Sequence, residues 1–323
     1  MSKELSQFSE NRPEFKGFNS FYYDNIFPHL LASERHREAA VKKAKTIGAG
    51  IAVVGLVAAI GLYIKTQSVQ FPIFALVGSG IGAFATGAHL LKNIKRDTKK
   101  VLMTNMTNFV GWTYNLIPTR PPILDVWRNI ELIPKYDRSS FEDEMMGNAH
   151  GADFVFCETH LEREKHDSDG DKKWVTVFRG LMFEIDFHME FLGKTIVLRD
   201  AGIFNRKKRK DMKRVGLVDP KFEKIFEAYG TDQVEARYLL TPDFMQRLVD
   251  LESRFEGKKT RFGFLNGKLY IAIEAPNQFE AGSMFKPLTE TERTQKILDE
   301  IGAIFDLVDG VLKPLKARRG VKG

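Results

Sequence analysis

Cysteine is almost absent from this chain. Cys157 is the single one in 323 residues, which excludes an intramolecular disulfide framework and fits a reducing compartment. Several catalytic signatures are absent too. No Walker loop, no G-x-S-x-G elbow, no H-E-x-x-H helix and no zinc-spaced Cys/His set occurs. The expectation leans away from an enzyme, and no catalytic residue, metal ligand or cofactor is assigned. Acidic residues are missing between Glu38 and Asp97. Within that stretch two runs have almost no ionisable group. Ile47–Ile64 is 18 residues without a charge, and Phe71–Leu91 is 21 residues in which His89 alone can ionise.

Both runs contain glycines, so a nucleotide loop has to be weighed. A dinucleotide fingerprint needs a buried strand before it, a helix after it, and an acidic residue about 20 positions on for the ribose. The first run follows "RHREAAVKKAKT", a charged stretch with no strand character, and its third glycine is misplaced. In the second, Gly78, Gly80 and Ala83 have the spacing, but the available acid, Asp97, lies inside the basic segment "KNIKRDTKK".

A membrane hairpin accounts for the same residues. As helices the runs extend roughly 27 and 31 Å at about 1.5 Å per residue, the thickness of a hydrocarbon core. Nine residues of the first run are Leu, Ile or Val, favouring insertion by roughly 3–5 kcal/mol before the glycines are discounted. Gly78, Gly82 and Thr86 recur at every fourth position, as do Ser79, Ala83 and Gly87, and small residues so spaced let two helices approach closely in lipid. Arg35, Arg37, Lys42, Lys43 and Lys45 precede the pair and Lys92, Lys95, Arg96, Lys99 and Lys100 follow it, whereas Lys65 alone stands between the runs. The positive-inside rule then predicts two spans with both termini in the cytoplasm.

The remaining sequence is polar and mixed, and its weight brings mean hydropathy to −0.26. The predicted organisation is an N-terminal cytosolic segment and basic helix over 1–46, the transmembrane hairpin over 47–91 (spans 47–64 and 71–91), a helical connector over 92–150, and a cytosolic domain over 151–323. In that domain "ADFVFCETHLERE" and "WVTVFRGLMFEIDF" read as a long hairpin around the turn "HDSDGD", "KTIVLR" as a further strand, and "RFGFLNGKLYIAI" as a hairpin with Asn266-Gly267 at its tip. Val175, Val177, Leu181, Phe183, Ile185 and Phe187 fall on one face at period two, interrupted only by Arg179. Asp219-Pro220 should open a helix through "KFEKIFEAY", and Asp232, Thr241 and Thr289 should cap three others, the last running to about Leu307. The fold class is α+β: an N-terminal two-helix transmembrane hairpin, then antiparallel β-hairpins and helices.

The hairpin, with "YDRSSFEDEMMGNAHGADFVFCETHLE", "VFRGLMFEIDF" and above all "GTDQVEARYLLTP", resembles a bacterial family of uncharacterised membrane proteins, domain of unknown function family 3137. The resemblance runs from the hairpin to about Ala275. It implies an inner-membrane protein with a cytosolic α+β domain, and it suggests work alongside other small membrane-anchored proteins, such as the LemA type. It supplies no activity and no catalytic residues.

The candidate sites therefore rest on their own chemistry. The chain carries a net charge of +7, which suits an acidic partner or the inner leaflet. Arg206, Lys207, Lys208, Arg209, Lys210, Lys213 and Arg214 place seven cations in nine positions. Contact with anionic headgroups, at roughly 1 kcal/mol per basic residue, competes there with a solvated loop. Nucleic acid is not expected, because no aromatics are interleaved for stacking. Asp232, Glu235 and Arg237 form a possible ligand or partner site in which the guanidinium could grip a carboxylate or phosphate, against a plain capping role. Glu184, Asp186, His188 and Glu190 alternate on one strand, more in the manner of a wet sheet face than of a metal site. The leading expectation is a binding or scaffold module at the cytoplasmic membrane surface, with lipids and another membrane-associated protein as partners. The alternative is a membrane-tethered enzyme of unknown reaction.

Overall fold

Forty-residue helices dominate the N-terminal part of the computed structural model, which describes residues 8–119, 124–168, 170–186, 190, 193–199, 211–217 and 219–318. The chain divides into two compact units. One comprises Met1–Phe109 with Glu280–Ile297, the other Val110–Phe279 with Leu298–Gly323.

In the first unit a 3-10 turn at Pro13–Phe15 and α1 (Phe18–Phe21) lead through a π-turn into α2 (Phe27–Thr66). A left-handed Gln67 (φ 51°) ends α2, and α3 (Gln70–Phe109) returns antiparallel. Each long helix extends about 60 Å, roughly twice a hydrocarbon core, so half of each remains for other work. The two expected spans lie inside α2 and α3. Both helices are long and apolar enough to cross a membrane. Their apolar stretches are not core: 11% of one and 6% of the other is buried, and Phe74 and Phe84 are 72% and 79% exposed. Between the helices the small residues meet selectively. Ser79, Ala83 and Gly87 face α2, since a methyl built at Gly55 would collide with Ser79, one at Gly48 would reach Ala83 at 3.8 Å, and one at Gly87 would reach Ala44 at 4.0 Å. Gly78, on the other stripe, has open space around it. At the opposite end of the hairpin the N-terminal aromatics close on α3, with Phe8 4.6 Å from Tyr22 and Phe21 4.9 Å from Phe109.

The second unit is built on one antiparallel sheet. Its strands are β1 (Thr113–Asn115), β2 (Arg138–Ala149), β3 (Ala152–His166), β4 (Lys172–Asp186), β5 (Thr195–Arg199), β6 (Lys213–Val215), β7 (Phe226–Gly230), β8 (Lys258–Leu265) and β9 (Lys268–Glu274), in the order β1-β2-β3-β4-β9-β8-β5-β7-β6. Its helices are α4 (Leu124–Asn129), α5 (Pro220–Glu223), α6 (Gln233–Leu239), α7 (Pro242–Arg254) and most of α8 (Thr291–Arg318). The expected hairpins are present. Leu265 pairs with Lys268 across left-handed Asn266 (φ 52°) and Gly267 (φ 76°), the geometry of a type I′ turn.

Four local readings are corrected. The connector 92–150 is helical to Phe109 and again over Leu124–Asn129, but Arg138–Ala149 is a strand paired with β1 and β3. The Asp219 cap launches a single turn, after which Phe226–Gly230 is drawn into the sheet between β5 and β6. The period-two face of β4 is broken by a bulge: Leu161 pairs with Phe178 and Glu162 with Thr176, leaving Val177 extra. Phe178 and Met182 accordingly join one core face with Cys157, Trp127 and Leu124, while Phe183 meets Phe156 (4.9 Å) and Phe255 (5.7 Å) on the other. The last helix begins at Thr291 rather than Thr289 and continues to Arg318.

Both faces of the sheet centre are covered, which explains the unbroken burial from Gly180 to Ile185. Cys157 lies in this core at 1% exposure, its thiol directed at the Glu142 and Glu158 carbonyls. Burial pushes its pKa well above the ordinary thiol value. The native chain should therefore leave Cys157 unmodified by maleimide at pH 7, with stoichiometric labelling only in denaturant. Ready labelling of the folded protein would refute this placement.

Candidate membrane-proximal site

Residues 280–297 return to the first unit, and their conformation is set by two buried arginines. Arg37 on α2 is 6% exposed and grips the Glu34 carboxylate with Nε (3.1 Å to each oxygen) and Nη2 (2.6 Å). Its Nη1 donates to the Met284 carbonyl at 2.9 Å. Glu34 in turn accepts the Leu288 N–H at 2.8 Å. Burial alone would raise the Glu34 pKa, but these hydrogen bonds and the arginine charges reverse it, and the carboxylate is held below its ordinary range. Arg293, in the first turn of α8 and also 6% exposed, donates from Nη1 to Ala281 and from Nη2 to Ser283 (3.1 Å), Lys286 (3.4 Å) and Pro287 (3.0 Å). The loop 281–288 has no regular secondary structure of its own, so its carbonyls need partners, and these two guanidiniums supply them.

The loop's upstream end is pinned by charge. Glu280 pairs with Lys95 (2.5 Å) and Lys99 (3.5 Å) of α3. Burial would raise its pKa, yet the Lys95 hydrogen bond and the Lys99 charge prevail and lower it. Thus fixed, the loop buries Met284 and leaves Phe285 60% exposed.

Beside this loop lies a groove of about 450 Å³. Buried Ala44, Leu91 and Met284 line it together with exposed Phe84 and Phe285, and Lys45, Lys92 and Lys95 stand around it. The surface is apolar with a cationic margin. It lies where the apolar runs end, since Lys45 precedes Ile47 and Lys92 follows Leu91.

The residues singled out from sequence are located elsewhere. Lys213 and Arg214 are exposed on β6, while Arg206, Lys207, Lys208, Arg209 and Lys210 lie outside the described residues. Asp232 caps α6 by accepting the Val234 and Glu235 N–H groups, each at 2.8 Å. Glu235 accepts the Gly193 N–H at 2.8 Å, and Arg237 is exposed. Two of the three thus have a structural use, tying α6 to the start of β5. Glu184 is buried and paired with Lys268, and His188 lies outside the described residues. Among the described residues no group of three or more His, Cys, Asp or Glu is placed to hold a metal ion. Sequence reasoning passed over the 281–288 loop entirely. Its one legible signal is the phenylalanine of "GSMFKP", an aromatic with no apolar neighbour beyond Met284 to pack it.

Comparison with known proteins gives a family match over part of the chain and little more. No curated protein matches the chain. Among solved structures it is similar to the crystal structure of the mycobacterial trehalose monomycolate transport factor A, TtfA, at 10% identity over 67% of this chain and 95% of that one. The TM-score of 0.35 is too low to carry any argument about function. Residues 176–313 match the family described as protein of unknown function, DUF3137. That segment begins within β4 and takes in β5 to β9 and α5 to α7, and over it the chain is similar to the DUF3137 family.

Proposed function

We propose that the chain is an inner-membrane protein, anchored by the α2–α3 hairpin with both termini in the cytoplasm, which presents its sheet domain as a binding or scaffold module at the membrane surface. The observation that carries this is the outward exposure of two apolar helical stretches. Water does not tolerate such a surface over this length, and lipid does. The charge asymmetry sets the orientation, with ten basic residues flanking one side of the pair and Lys65 on the other. The partners proposed are membrane lipids and a second membrane-associated protein, of which the LemA type is one candidate.

The buried native thiol makes the topology test clean. In intact spheroplasts a Ser68→Cys variant, in the α2–α3 connection, should react with a membrane-impermeant maleimide. A Ser9→Cys variant should react only after permeabilisation, and the chain should resist alkaline carbonate extraction. Recovery in the soluble fraction, or labelling of Ser68→Cys only after lysis, would refute the proposed anchoring. Capture from mildly cross-linked membranes addresses the module itself, where a near-stoichiometric membrane protein is the expected result.

A further inference from the structure

The groove beside the 281–288 loop has a more definite chemistry than the rest of the surface. We infer that it seats one anionic phospholipid of the cytoplasmic leaflet, its phosphate between Lys45 and Lys92 and an acyl chain against Phe84, Leu91 and Phe285. This rests on the proposed insertion of the α2–α3 hairpin.

Three observations select this occupant. The first is level. Ala44 lies opposite Gly87, so Lys45 and Lys92 are separated by about 9 Å along the hairpin axis at 1.5 Å per residue. Lysine side chains extend along apolar surface with the ammonium at its margin and can close that distance on one phosphate. The second is charge. Glu280 engages Lys95 and Lys99, whereas among the described residues neither Lys45 nor Lys92 has a carboxylate partner, so the uncompensated positive charge at the groove belongs to these two. The third is continuity with lipid. Phe84 is 79% exposed and belongs to the second apolar run, so the groove opens onto the face that hydrocarbon would cover. A free polar anion gains nothing from Phe84 and Phe285. A zwitterionic lipid gains little from the lysines, because its own ammonium already offsets the phosphate. An anionic phospholipid uses both.

The loop is built for this purpose in a specific sense. Arg37 and Arg293 hold five of its carbonyls before any ligand arrives, so Phe285 is displayed without the ordering penalty that a free loop would meet on binding.

The test uses the full chain, floated first with phosphatidylcholine vesicles containing phosphatidylglycerol and then examined by native mass spectrometry from detergent with each lipid titrated. Flotation reports insertion, and mass spectrometry reports the site. The expected result is one retained phosphatidylglycerol per chain in preference to phosphatidylcholine. Lys45→Gln with Lys92→Gln should weaken phosphatidylglycerol by about 30-fold, at the usual contribution of a surface lysine, and leave phosphatidylcholine unchanged. Lys45→Arg with Lys92→Arg should retain the preference, and Phe285→Ser should weaken both lipids. A chain that floats but binds the two lipids equally, or whose preference survives the double glutamine variant, overturns the inference while leaving the anchor intact. Displacement of the lipid by inorganic phosphate, or a lipid-free dimer across this groove, overturns it as well. A chain that fails to float overturns the anchoring reading itself.

Discussion

Arg293→Leu is expected to destabilise the first unit by about 3–5 kcal/mol, the order reached when one buried and three part-buried carbonyls lose their common donor. The mechanism is the loss of donors rather than of charge. Four carbonyls, those of Ala281, Ser283, Lys286 and Pro287, share this guanidinium, and each buried carbonyl left without a donor loses about 1–3 kcal/mol before relaxation. Arg293→Lys should recover only part of the loss, because an ammonium cannot reproduce the planar fork. Hydrogen exchange on the full chain reads the effect locally. The Leu288 amide, held by Glu34, should exchange at least tenfold faster in the Leu variant, and the Phe285 ring should lose its fixed position. Unchanged protection at Leu288, together with an unchanged melting temperature, would sink the account of how the loop is held.

Trp112→Ala should have a comparable effect on the second unit, about 3–5 kcal/mol. Trp112 is 1% exposed, with Phe154 at 4.7 Å edge-on and Phe305 of α8 at 4.5 Å. Its indole Nε1 donates to the Asn148 carbonyl at 3.1 Å, and its ring lies so close over Gly147 that a methyl there would overlap it. Truncation removes the indole, orphans a carbonyl and opens a cavity between the sheet and α8. Denaturant unfolding followed by the remaining tryptophans measures the loss. Trp112→Phe should keep more than half of the stability by preserving the ring contacts. A loss below about 1 kcal/mol for the alanine variant, well under the usual range for a buried tryptophan, would mean that α8 is not anchored through this residue.

What could be read from the sequence was local. The apolar runs of the α2–α3 hairpin declare themselves by the absence of charge over 18 and 21 residues. The caps at Asp219, Asp232 and Thr241 form as expected, because a side-chain oxygen two or three residues from an amide needs no tertiary support. What failed depended on distant partners. "FEKIFEAYG" has the composition of a helix, and only the ladders of Phe226–Gly230 with β5 and β6 make its second half a strand. "RSSFEDEMMGNA" carries charges that suit a helical surface, and its strand character follows from β3 alongside it. The 281–288 loop illustrates the limit most plainly. Glu34 and Arg37 order a loop some 250 positions away, and no window along the chain contains both halves.

The edges of the sheet have a consequence beyond the sheet itself. Its outermost strands, β1 and β6, are three residues long, and β6 exposes Lys213 and Arg214. Strands of that length offer an incoming chain only one or two backbone ladders, and cationic side chains repel a second copy of the same edge. For a protein confined to a bilayer, as proposed, this has a particular value. Neighbours in two dimensions collide often and in nearly the same orientation, the conditions under which open strands tile into ribbons. At those two ends the sheet offers little for a crowding copy to pair with, which lowers the chance of strand exchange on a leaflet.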